Sequence, residues 1–60
     1  MKDQILHYAG YTIKITYDEY LEEYDYIVSD ETGKKIFERY KFEDENDAFA
    51  SACMQINDET

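Results

Sequence analysis

Fifteen aspartates and glutamates stand in this sixty-residue chain against six lysines and arginines, and most of the acid falls in two short runs. The first holds Asp18, Glu19, Glu22, Glu23 and Asp25 around the apolar pair Tyr20 and Leu21; the second is Glu43-Asp44-Glu45-Asn46-Asp47. Clustered carboxylates offer calcium ligation, phosphate mimicry or simple solvation. A calcium loop of EF-hand type needs alternating oxygen ligands, a central glycine and a distal glutamate, and neither run contains a glycine. In phosphate mimicry, surface carboxylates occupy the positions of nucleic-acid phosphates and capture a basic protein groove. The plain reading is a solvated surface that keeps a small protein soluble.

Catalytic groups are sparse. His7 is the one histidine and Cys53 the one cysteine, so neither a four-ligand zinc site of the usual kind nor an internal disulfide can be assembled. Cys53 falls on an apolar helical stripe with no base beside it to lower its pKa, and there it serves as a small apolar residue. Glu38 is expected on the core face opposite Tyr26, where true burial would raise its pKa. No glycine-rich phosphate loop, nucleophile elbow or Cys-x-x-Cys occurs. The expectation is a non-enzymatic chain without a cofactor or metal.

The elements that position these residues follow from periodicity. Tyr11, Ile13, Ile15 and Tyr17 alternate with Thr12, Lys14 and Thr16, a half-buried strand. Met1 to Ala9 shows Ile5, Leu6 and Tyr8 without a clear period and reads as a short extension of that strand or a frayed end. After the first acidic run a second strand covers Tyr24 to Ser29. Asp30-Glu31-Thr32-Gly33-Lys34 then carries the signature of a type I turn with Gly33 in the left-handed position. A third strand runs from Lys35 to Phe42. If Asp30 pairs with Lys34, Val28 faces Ile36, Ile27 faces Phe37, Tyr26 faces Glu38, Asp25 faces Arg39 and Tyr24 faces Tyr40. One face is then apolar, with Ile36, Tyr40 and Phe42 among its members and Glu38 its single misfit. The other gathers Lys14, Lys35, Arg39 and Lys41 around Ile27 and Phe37.

The second acidic run precedes a helix, with Asp44 or Asn46 as its N-cap. Ala48, Phe49, Ala52, Cys53 and Ile56 form one stripe of that helix, which runs to about Asn57 before the end frays, with Ser51, Gln55 and Asp58 toward water. The predicted fold is therefore α+β: a three-stranded antiparallel sheet with one C-terminal helix packed on one face, in a single small domain spanning 1–60 with its ordered core at about 10–57.

Composition sets further bounds. A chain this short buries only about 60% of the surface its unfolded form exposes, so partner binding or self-association is a natural supplement. The net charge of −9 and pI near 4.2 disfavour acidic partners. Seven tyrosines and three phenylalanines argue for folding rather than disorder. With a single cysteine, no apolar run of membrane-spanning length and no leader pattern, a cytoplasmic protein without membrane contact is expected.

Gly10-Tyr11-Thr12-Ile13, Tyr26-Ile27-Val28-Ser29-Asp30, Thr32-Gly33-Lys34 and Phe42-Glu43-Asp44-Glu45-Asn46-Asp47-Ala48 together resemble short bacterial β-β-β-α proteins around the HicB antitoxin family. The resemblance covers roughly residues 10–57 and implies a partial double-stranded-RNA-binding-like fold. The Pro-Gly-Cys segment and later glycine of the antitoxin pattern do not occur in this sequence, so the fold is what the resemblance carries. In size and charge the chain also looks like phage-encoded inhibitors that act as acidic decoys.

The leading expectation is a protein-interaction or inhibitor module that binds a basic or nucleic-acid-binding protein. Asp18, Glu19, Tyr20, Leu21, Glu22, Glu23, Glu43 and Asp44 make the contact, with Tyr20 and Leu21 as apolar anchors. The alternative is a small nucleic-acid-binding module that uses Lys14, Ile27, Phe37, Arg39 and Lys41 on the open sheet face, with Phe37 as a stacking platform. Ile27 and Phe37 could instead mark a homodimer face.

Overall fold

The computed structural model describes residues 3–59 and resolves the alternating patterns into four strands and one helix. β1 (Gln4–Tyr8), β2 (Tyr11–Asp18), β3 (Glu23–Ser29) and β4 (Lys35–Phe42) form an antiparallel sheet in chain order, followed by α1 (Glu45–Glu59). The α+β class and the C-terminal helix are as expected, but the sheet has four strands rather than three. The added strand is β1, in register with β2 from Gln4 opposite Ile15 to Tyr8 opposite Tyr11. Its connection is the pair Ala9-Gly10, with φ of 52° and 85°. Two left-handed residues in a two-residue link form a type I′ turn, whose twist matches that of the strands it joins. Alanine is an uncommon occupant of such a position, which is why the hairpin escapes a search for Asn-Gly or Asp-Gly. Met1 and Lys2, read with this segment from sequence, lie outside the described residues, as does Thr60.

The turn between β3 and β4 has the expected form. The Gly33 N–H donates to the Asp30 carbonyl at 3.0 Å, Gly33 has φ 89°, and the Asp30 N–H reaches the Lys34 carbonyl at 3.0 Å. Past it, the expected register fails. Ser29 pairs with Lys35, but Val28 then faces Phe37, Ile27 faces Glu38 and Tyr26 faces Arg39, and a second shift places Tyr24 opposite Phe42.

Both irregularities have a physical reason. A register without the first would point Glu38 at the core, and burying an unpaired carboxylate costs several kcal/mol. The first bulge turns Glu38 to the open face: Phe37, which packs on the core, replaces Ile36 opposite Val28, and Arg39, which stays exposed, takes the position opposite Tyr26. The second, where Lys41 takes φ 71°, returns Phe42 to the core side, opposite Tyr24 where Tyr40 was expected. Phe42 then lies 5.5 Å from the ring of Tyr26. Ile36 and Tyr40, expected in the core, are exposed.

The core comprises Ile13 and Ile15 of β2, Tyr26 and Val28 of β3, and Ala48, Ala52 and Ile56 of α1, with Phe49 and Cys53 packed beside them. The two alanines let the helix lie close to the sheet. Tyr26 is fully buried, and its hydroxyl is within hydrogen-bond distance of Ser51 Oγ at 3.2 Å, so Ser51 turns toward the sheet instead of water. At the far end of the helix Tyr8 donates to Asn57 Oδ1 at 3.1 Å. Asn57 to Glu59, expected to fray, belong to α1.

Candidate functional site

The link between β2 and β3 is a four-residue loop closed by the Asp18–Glu23 pair. Asp18 Oδ1 accepts the backbone N–H groups of Tyr20 at 2.9 Å and Leu21 at 3.2 Å, and Glu22, at φ 55°, turns the chain back into β3. This geometry leaves Tyr20 94% exposed and Leu21 59% exposed at the tip. Beneath the loop the rings of Tyr17 and Tyr24 meet at 4.8 Å. Partial burial, and then the charges of Glu22 and other loop carboxylates, push the Tyr17 hydroxyl above its ordinary range.

The second acidic run arrives at the same end of the molecule, because Phe42, the last residue of β4, pairs with Tyr24. Asp44 caps the helix: its Oδ1 accepts the Asn46 N–H at 2.8 Å and its carbonyl accepts the Ala48 N–H at 3.1 Å. Glu45 and Asp47 occupy the first helical turn, where negative charge suits the dipole. Sheet topology thus brings together Asp18, Glu19, Tyr20, Leu21, Glu22, Glu23, Glu43 and Asp44, which stand far apart in the chain. Within the group, Asp18 and Asp44 hold local structure, while Glu19, Glu22 and Glu43 are exposed at the surface.

Sequence reasoning missed one contributor. Asp3 joins Asp18, Glu19 and Asp25 around a shallow hollow beside Tyr20, since β1 runs antiparallel to β2 and begins near the end where β2 finishes. The alternation of Leu6 and Tyr8 with exposed His7 was the available signal. Among the described residues, no group of three or more His, Cys, Asp or Glu is disposed to hold a metal ion.

The second candidate surface is dispersed by the bulges. Lys14 and Ile27 remain cross-strand neighbours on the open face. Phe37 packs against the core, Arg39 faces the helix side opposite Tyr26, and Lys41 sits within a bulge. The open face instead pairs base with acid. Lys35 Nζ donates to Glu38 Oε1 at 3.0 Å, and Lys14 Nζ lies 3.9 Å from Asp3 Oδ2. The hydrogen bond from Lys35, joined by one from Tyr40, holds the Glu38 carboxyl below its usual range, opposite to the rise that burial would give. The proposed dimer pair Ile27 and Phe37 is likewise split between the two faces.

His7 is exposed on β1, with Nδ1 3.5 Å from Thr12 Oγ1. Burial pushes the Cys53 thiol up, away from the thiolate form that nucleophilic chemistry uses. No helix among the described residues is long and apolar enough to cross a membrane. No family model matches the chain, and comparison with curated proteins and with solved structures gives no match. Fold and surface define the chain as an antiparallel α+β domain with an acidic end.

Proposed function

We propose that this chain is a non-enzymatic binding module that engages the basic surface of a partner protein through its acidic end. Convergence carries the reading: two carboxylate runs separated by most of two strands meet at one end of the sheet, and the loop holding the first presents a tyrosine that is 94% exposed. Clustered acid of this kind steers a cationic partner and fixes its orientation, while an exposed aromatic supplies the apolar anchor. The likeness to antitoxin and decoy proteins belongs to this proposal.

The test is retention on the immobilised chain from nuclease-treated lysate, eluted in rising salt. The comparison is a variant carrying Glu22→Lys, Glu23→Lys and Glu43→Lys, which leaves the Asp44 cap intact. The reading expects one basic protein to elute between about 0.2 and 0.5 M salt, where exposed charges are heavily screened, and to be absent from the variant. Undiminished retention by the variant, or retention that requires nucleic acid, overturns it.

A further inference from the structure

The two edges of the sheet are built differently. β4 is broken by two register shifts and carries Lys35, Glu38, Arg39 and Lys41, features that stop another strand from adding. β1 has neither device. Its register with β2 runs unbroken from Gln4 to Tyr8, and Gln-Ile-Leu-His-Tyr contains no proline and, with His7 neutral, no formal charge. Each of the other four elements carries formal charge. In a chain of net charge −9, this strand is where two copies meet with least repulsion.

Hairpin geometry tells which backbone groups this edge offers. Across a two-residue turn the flanking residues, here Tyr8 and Tyr11, exchange both hydrogen bonds, and bonded pairs alternate from there. Leu6 with Ile13 and Gln4 with Ile15 are therefore the bonded pairs. The N–H and C=O groups of Ile5 and His7 point out to the open edge.

We propose that two copies of this chain join through β1, antiparallel about a two-fold axis at Leu6, into one continuous eight-stranded sheet. This register uses the whole strand: Ile5 exchanges bonds with the second copy's His7 and the reverse, and Gln4 stands opposite Tyr8. Leu6, half-buried beside the core, meets its own counterpart on the helix side in a non-bonded pair, where side chains approach most closely. Ile5, 62% exposed, gains a neighbour on the open face.

Sedimentation equilibrium of the pure chain tests the proposal independently of any partner of the acidic end. The mass is expected to rise from 7.2 kDa toward twice that value as concentration increases toward about 1 mM. His7→Pro removes an N–H that points away from β2, which an edge strand tolerates, and should weaken self-association at least tenfold while keeping the wild-type melt. In a Cys53→Ser background, Leu6→Cys should crosslink on oxidation, since non-bonded partners lie about 4.5 Å apart at Cα. Gln4→Cys, which faces Tyr8, should not. A mass of 7.2 kDa at every concentration, undiminished association of folded His7→Pro, or equal crosslinking of the two cysteine variants overturns the proposal. If His7→Pro does not fold, the cysteine comparison decides.

Discussion

Asp30 holds the β3–β4 turn with a single oxygen: Oδ1 accepts the Thr32 N–H at 2.9 Å, the Thr32 hydroxyl at 2.6 Å and the Lys34 N–H at 3.0 Å. The Thr32 hydroxyl bond first, then the Lys34 N–H, lower the carboxyl pKa from its ordinary 3.8. A depressed folded-state pKa gives stability that is present above the unfolded value and is lost as pH falls through the folded one. Asp30→Asn should therefore cost more at pH 7 than at pH 2, and the gap from wild type should close progressively below about pH 4. Urea melts of both proteins across that range measure the gap; a constant difference would refute the assignment. This residue was readable from sequence because its work is local, confined to the five positions from Asp30 to Lys34.

At the scale of elements, β4 shows what local reading cannot supply. Its two bulges are decided by where Glu38, Phe37 and Phe42 end up relative to a core contributed by β2, β3 and α1, and no window along β4 contains that information. β1 was hidden for a different reason: Ile5 and Leu6 are both apolar, which blurs the period of two, and Ala9 fills a turn position usually marked by asparagine, aspartate or glycine. The helix and its cap were legible, since Ala48, Ala52 and Ile56 keep a clean spacing after an acidic start. The acidic runs were visible too, but their meeting depends on which strand ends lie together. The second bulge makes a prediction of its own. Lys41 pays a left-handed backbone cost that glycine does not, so Lys41→Gly should stabilise the fold by about 0.5–1 kcal/mol. Glycine at Tyr40 should instead destabilise it, and paired denaturant melts would expose a failure of that contrast.

For the whole molecule, charge is distributed unevenly, with both carboxylate runs at the end where β2 and β4 finish. Such crowding opposes the compact state, and mobile ions relieve it. Thermal stability should rise with sodium chloride between about 0.01 and 0.5 M, the range over which the screening length falls from roughly 30 Å to a few ångströms. The variant carrying Glu22→Lys, Glu23→Lys and Glu43→Lys should show a shallower rise in calorimetry. Equal salt dependence would place the repulsion elsewhere on the surface.

The unequal edges of the sheet bear on how the protein behaves when it is abundant. A sheet that accepts strands at both edges is a polymerising monomer, since each addition exposes a fresh template. Here the bulged, charged β4 closes one side of the described sheet, so in the proposed assembly addition at β1 uses up the receptive edge and growth ends at two copies. The irregular strand thus acts as a chain terminator, setting the valency of the fold at one.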